Sequence, residues 1–338
     1  MRTVLLSAIL ATSLPALAQD ASRDSTGFHN DMVLSDFYWS PAQLYQVDRP
    51  VSQVAYLKGI GTAKISSDPT TQKDSFDINT FGGGFYTPLS QTKVTVGFGY
   101  NQMDITSKLK TTQGAVTANN GIDEDVTTVT PSMAYAITPH IEAGFRYAIT
   151  ESQTKTDGAT SIFNYNVFSP AITFHNDDFE AGVIYQPTVN LHDADGAETD
   201  AGSLIVHSQA RVSPSTTAGL HIEYDRNKEL DDSSYKNSYI LGAAVESWVS
   251  SVVQAGLGGN YTAESAKNEA NRGPFNISSV GFSVYGNYVA SAAATVGAGL
   301  QYSRTGNRGG KTTSGQTQIN TTSSLTLTGL TVTAAYKM

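Results

Sequence analysis

The residues of this sequence with the means for chemistry are six histidines and a scatter of carboxylates and serines. A serine hydrolase would set a histidine beside its nucleophile in a recognisable frame, and no Gly-x-Ser-x-Gly segment occurs. His192-Asp193-Ala194-Asp195-Gly196 starts like a calcium loop, but the ligand spacing stops early, which leaves a solvated loop as the better reading. There is no cysteine and hence no disulfide. What remains is a set of charges at alternating positions of short segments: Glu142, Arg146, Glu180, His221 and Glu223. On strands these share one face, where they pair across neighbours, fix an internal segment or handle a carboxylate head group. The expectation is a protein that is not an enzyme, with no cofactor and no metal site.

Those charges belong to a repeat. KVTVGFGY (93–100), HIEAGFRY (140–147), DFEAGVIY (178–185), TAGLHIEY (217–224), VQAGLGGNY (253–261) and ATVGAGLQY (294–302) alternate apolar residues with polar ones or glycine, and each ends in tyrosine. In all six a glycine precedes the tyrosine by an odd number of residues, as Gly97 precedes Tyr100, so the two fall on opposite faces of a strand. One face reads Val94, Val96, Phe98, Tyr100; the other reads Thr95, Gly97, Gly99 and, in later repeats, Glu142, Gly144, Arg146. An apolar face closed by tyrosine, opposite a glycine-rich polar face, suits a transmembrane β-barrel with lipid outside and a wet lumen. A large soluble sandwich or propeller also alternates and is the competing fold.

The connections alternate in length. Tight turns such as TPLSQT (87–92), ITPH (137–140) and HNDD (175–178) precede the repeats, and longer polar stretches such as 111–125, 150–160, 192–202 and 304–315 follow them. That asymmetry is typical of outer-membrane barrels. Rising strands start near Val51, Lys93, His140, Phe179, Thr216, Ser251 and Ala292, and descending strands lie near 74–87, 125–137, 161–175, 202–213, 235–248, 275–289 and 317–338. The fold expected is all-β, a transmembrane antiparallel up-and-down barrel of about 14 strands over residues 51–338, with 12 or 16 as alternatives. Tyr86, Tyr135, Trp248, Tyr288 and Tyr336 are expected to form the second aromatic girdle. Leu325 and Leu327 fall on the parity opposite to Leu330 and Met338, which predicts a bulge near Gly329 or a turn of face.

Arg2, a short apolar run and Ala16-Leu17-Ala18 read as a signal peptide over 1–18. Its removal takes the formal charge from −9 to −10, because Arg2 leaves without an acidic residue, and a mildly acidic chain argues against a nucleic-acid partner. No later window is long and apolar enough for a membrane helix. The expected address is the outer membrane of a Gram-negative bacterium, with both termini periplasmic. The expected partners are outer-membrane lipid, a hydrophobic small molecule and, during biogenesis, the outer-membrane assembly machinery, the chain remaining a monomer.

Residues 19–50 alternate poorly yet hold DFYWSPAQLYQ (36–46), in which Phe37, Tyr38, Trp39 and Leu44 are large apolar side chains. A wide barrel has a lumen to fill, and this segment is expected to fold inside it as a plug. With Ser40-Pro41-Ala42 just before the first strand, and hairpins such as FGGGFYTPLSQTKVTVGFGY (81–100), the chain resembles the FadL-type channels for long-chain fatty acids and other hydrophobic compounds. The resemblance implies passive uptake of such molecules through a barrel closed by an N-terminal hatch. It makes Ser40, Pro41 and Ala42 the hatch motif, with serine in place of the family's asparagine. It also implies a lateral exit at a strand kink, for which Gly82, Gly83 and Gly84 are the local candidates. The alternatives are a general porin and a structural or surface-recognition barrel without transport.

Overall fold

The computed structural model describes residues 41–67, 70–90, 92–113, 116–156, 159–189, 199–229, 235–267, 275–314 and 317–338. The strands are β1 (Val51–Ser67), β2 (Thr70–Pro88), β3 (Val94–Gln113), β4 (Val116–Thr138), β5 (Ile141–Thr156), β6 (Ala159–His175) and β7 (Phe179–Val189). They continue as β8 (Thr199–Ser213), β9 (Thr216–Glu229), β10 (Tyr235–Trp248), β11 (Val253–Lys267), β12 (Phe275–Ser291), β13 (Ala294–Ser314) and β14 (Thr317–Lys337). Each pairs antiparallel with its neighbours in sequence, and β14 pairs with β1, so the sheet is a closed barrel without edges. The seam is tied at its base, where the Met338 amide donates to the Pro50 carbonyl at 2.8 Å and Lys337 Nζ lies 3.6 Å from Asp48.

The apolar face of the alternation points outward. Val54, Phe98, Phe145, Val183, Leu220, Ile222, Leu257, Val284, Leu300 and Val332 are all exposed. On β4 the outward band runs from Ile137 to Val129, about nine residues, which at ~3.3 Å per residue and a tilt of about 40° gives a belt close to 25 Å tall. Tyr135, Tyr288 and Tyr336 stand in the girdle at the turn end. Tyr86 does not. It is only 2% exposed and points into the lumen, because residues 84 and 86 share the inward parity of β2.

Three of the stretches read as loops are strand. Of these, residues 111–113 and 116–125, 150–156 and 159–160, and 304–314 lie in β3–β6 and β13. They escape the lipid-facing pattern because the alternation inverts above the upper aromatic row. On β3 the outward residues become Gln102, Thr106 and Lys108 while Met103 and Ile105 turn inward; on β4 Asp123 faces out and Val126 faces in. β14 shows the same inversion. Its register with β1 and β13 passes through Gly329 without a shift, so no bulge is there, and Leu327 simply faces the lumen where its lumenal neighbours are apolar.

Candidate functional site: the lumen

At the turn end of the lumen lies a short 3-10 helix, Pro41–Gln46. Proline at its first position has a preset φ and no amide to satisfy. Pro41, Ala42 and Leu44 are fully or nearly fully buried. Ala42 packs with Ala171, Ile184 and Ile205 on β6–β8, and Leu44 and Val47 pack with Val51, Tyr86 and Ala134 on β1, β2 and β4, so the helix bridges two walls of the barrel. Gly144 makes the approach to β5 possible, since a Cβ there would lie 2.5 Å from the Pro41 carbonyl carbon and 2.6 Å from the Ala42 nitrogen. Of the expected hatch and plug residues, Pro41, Ala42 and Leu44 stand in the lumen, whereas Phe37, Tyr38, Trp39 and Ser40 lie outside the described residues.

The inward glycines serve the large side chains opposite them. Tyr86 lies over Gly97, its direct partner on β3, and over Gly84 on its own strand, with Gln53 Nε2 donating to its hydroxyl at 3.3 Å. Phe76 covers Gly61, His207 covers Gly182, His221 covers Gly242 and Tyr285 covers Gly256, each pair being directly opposite in the ladder. A side chain at any of these glycines would meet the ring of its partner. The rings therefore lie against the wall instead of crossing the lumen.

Gly82, Gly83 and Gly84 form no kink. Their ladder runs unbroken, opposite Ala55, Val54 and Gln53 on β1 and Asn101, Tyr100 and Gly99 on β3. At Gly84 the missing side chain accommodates Tyr86, whose hydroxyl would lie 2.7 Å from a Cβ, so the local reason for glycine is packing and not a gap. The wall is interrupted elsewhere. Between β6 and β7 the pairing stops after Val167 opposite Thr188 and resumes at Ala171 opposite Ile184, in the same register. The omitted residues, 168–170 and 185–187, include Pro170 and Pro187, neither of which has an amide hydrogen to donate.

The expected charge ladder is lumenal. Glu142, Arg146, Glu180 and Glu223 are buried and His221 is half-buried, all on the inward parity. They do not form one cluster. Glu142 lies 3.8 Å from His175, and Glu180 lies 3.8 Å from His207 Nδ1. His207 stands directly opposite His221, so it links the Glu180 and His221 neighbourhoods. Arg146 stands opposite Ser132 and Ser169. A second polar group is centred on Glu246, which accepts from Tyr285 at 2.9 Å and from Gln254, whose own oxygen accepts from Asn287 at 3.2 Å. Sequence patterning missed His175, His207 and this group, although strict parity along β6, β8 and β10–β12 marks all of them as inward.

Towards the loop end one sector of the lumen is apolar. Leu57, Phe76, Ile78, Met103, Ile105, Val126 and Leu327 form a contiguous buried collar on β1–β4 and β14, with Ala63 and Leu325 against it. Asp74, Ser107 and Glu124 are among the polar residues buried on the same strands, and Glu124 accepts from Ser152 at 2.9 Å. Water-filled lumens are lined by polar residues, so an apolar collar is a departure that calls for a function.

No protein-family model matches the chain. Among solved structures it is similar to a TodX variant described as a monoaromatic hydrocarbon channel, with a TM-score of 0.65 and 8% identity over 94% of this chain and 98% of that one. Wild-type TodX is described as the toluene transporter of Pseudomonas putida. A FadL homologue of Pseudomonas aeruginosa gives a TM-score of 0.57 and 12% identity, covering 93% of this chain and 96% of that one. The CymD monoaromatic hydrocarbon channel gives 0.59 and 11%, covering 94% and 96%. The fold is thus that of the FadL-type channels. In sequence, the chain is 25% identical over 202 residues to Internalin I of Listeria monocytogenes serotype 4b (strain F2365), a match that covers 54% of this chain and 11% of that protein. The chain therefore spans only a small part of that relative's length.

Proposed function

We propose that this chain is an outer-membrane channel for the passive uptake of hydrophobic small molecules, of the size of a long-chain fatty acid or an aromatic hydrocarbon, closed by an N-terminal hatch. The observation that carries this is the collar of Leu57, Phe76, Ile78, Met103, Ile105, Val126 and Leu327 on the inside of a wall whose outer side at that height is polar apart from Ile60. An apolar solute gains about 25 cal/mol for each Å² it removes from water, and such a collar is where it gains most along the lumen. The signal sequence, the short turns at one end and the fold shared with hydrophobic-compound channels support placing the loop end outside the cell.

Hatch gating is supported by the 3-10 helix that bridges β1–β4 and β5–β8 at the base of the lumen. Residues 19–50 act as the hatch in this account, with Ser40-Pro41-Ala42 at its turn. The gap in the β6–β7 register, three residue pairs long against two between β4 and β5, takes the place of Gly82–Gly84 as the lateral exit, because it holds two prolines with no amide hydrogen to give to the ladder. The chain works as a monomer, its last strand being read by the assembly machinery.

Planar bilayer recording tests the gate. The intact protein should be nearly silent and should conduct once residues 19–46 are deleted. Steady large conductance from the intact protein would rule the hatch out. Native mass spectrometry after extraction in mild detergent tests the cargo, and repeated failure to find a bound lipid or hydrocarbon would count against a hydrophobic channel.

A further inference from the structure

The outer face of β1–β3, above the upper aromatic row, carries four exposed lysines: Lys58, Lys64, Lys73 and Lys108. Lys64 stands directly opposite Lys73, and the register continues the row to Lys110 on β3. Like charges facing each other across a ladder repel, so this arrangement is unfavourable unless an anion lies against it. The whole chain has a formal charge of −9, which sets the patch apart from its surroundings. Asp77 and Asp104 share these strands, but they stand opposite Ile60 and Asn79, below the Lys64–Lys73 row, and Asp104 accepts from Gln102 at 3.2 Å. Among the described residues none of the four lysines has an ion-pair partner, whereas Lys155 on β5 is paired with Asp125 at 3.2 Å.

The height of the patch identifies its occupant. Lys58 is two residues above Tyr56, about 5 Å beyond the aromatic row, while Lys64 and Lys73 are about 20 Å beyond it at the usual strand rise and tilt. The polar layer of a phospholipid leaflet is only about 5–8 Å deep, so phospholipid phosphates reach Lys58 and stop short of the upper row. A phosphorylated glycolipid presents phosphates at several heights along its sugars. We propose that the outer face of β1–β3 docks the phosphorylated sugars of an outer-leaflet glycolipid, with Lys58 at head-group level and Lys64, Lys73 and Lys108 further out. The inference rests on the outer-membrane placement proposed above.

The test uses the full mature chain in detergent, with lipopolysaccharide, phosphatase-treated lipopolysaccharide and phosphatidylglycerol vesicles as separate probes. Binding of the untreated glycolipid should fall on the order of a hundredfold in Lys64→Gln/Lys73→Gln/Lys108→Gln, should fall similarly on phosphatase treatment, and should weaken with salt. Lys155→Gln should bind as the parent does. Equal binding by the triple variant, or equally tight lysine-dependent binding of phosphatidylglycerol, would overturn the glycolipid surface. Conductance and hydrophobic-probe uptake are measured on the same proteins. A parent that neither inserts nor takes up probe refutes the channel, while a working channel with lysine-independent glycolipid binding refutes only the docking surface.

Discussion

Tyr86 on β2 lies flat over Gly97, the residue directly opposite it on β3. The pair is one of a series in which a large lumenal side chain takes the space left by a glycine, and its energetics are open to a double-mutant cycle. Gly97→Val should destabilise the barrel by about 1–3 kcal/mol, the usual effect of overpacking. Tyr86→Ala in the same chain should recover most of that loss. Urea midpoints in detergent micelles provide the measurement, and purely additive effects would show that the two residues do not compete for the same space.

Gly144 has a different partner, the backbone of Pro41 and Ala42. Gly144→Leu should therefore act on the 3-10 helix and leave the wall in place. The expected phenotype is a rise in single-channel conductance with an unchanged urea midpoint. A silent channel of normal stability would mean that the helix tolerates a side chain at this position.

The apolar collar predicts a separation between uptake and assembly. Ile78→Asn and Leu327→Asn place polar groups among Phe76, Met103 and Val126, above the outer apolar belt. Binding of an apolar fluorescent probe should drop by roughly tenfold for each, from the ~1.5 kcal/mol or more that a buried aliphatic side chain contributes. Bilayer insertion should be unaffected. If probe binding holds while the collar becomes polar, the cargo path lies elsewhere.

Glu246 accepts from both Tyr285 and Gln254. Glu246→Ala leaves two buried donors without their acceptor and should cost about 1–3 kcal/mol. Glu246→Gln keeps one acceptor oxygen and should cost less. Comparable midpoints for the two variants would argue that the network adds little to stability.

The interrupted pairing between β6 and β7 is open to cross-linking, because the natural chain has no cysteine. The registers on either side place Phe168 opposite Pro187. Opposite Cα atoms of a paired antiparallel ladder stand about 4.5–5.5 Å apart, within reach of a disulfide, so Phe168→Cys/Pro187→Cys can pin the two strands at that spacing across the gap. Oxidation should block release of apolar cargo into the bilayer, with conductance of the hatch-deleted protein unchanged, and reduction should restore release. Unimpaired release from the cross-linked protein would place the exit at another strand pair.

Strands facing lipid were legible because the bilayer imposes one rule on every outward side chain. From Val51 to the closing strand, that rule located both strand number and tight turns. It failed where the surroundings change. Residues 116–125 sit on a strand extension whose outer side meets water and so follow a loop-like pattern, and the inward apolar row of Met103, Ile105 and Val126 beside them has no lipid-facing partner to mark it. For the same reason the parity of Leu327 leaves a bulge and a turn of face both open, and the structure has the turn of face. Tyr86 was assigned to the girdle because it is a tyrosine near a turn, when parity along β2 settles the matter. Gly82–Gly84 looked like a weak point since glycine has many uses, and only the partner lying over Gly84 shows which one applies. The break at Pro170 and Pro187 was present in the sequence, but it takes both strands in register to see that the two prolines fall in one gap.

The change of oily side on β1–β4, from outer to inner surface at a single height, also fixes how deep the barrel floats. Sinking by one pleat would draw Lys58 and Asp104 to the rim of the hydrocarbon, where a lysine costs up to about 1 kcal/mol and an aspartate less. Rising by one pleat would lift the upper end of the outward apolar band, Phe81 among it, into water and draw the exposed Lys93 and Asp178 of the turns up against the hydrocarbon at the opposite rim. With its waterline set from both directions, the barrel has little freedom to ride up or down, and in a bilayer of the wrong thickness the lipid must adjust to the protein.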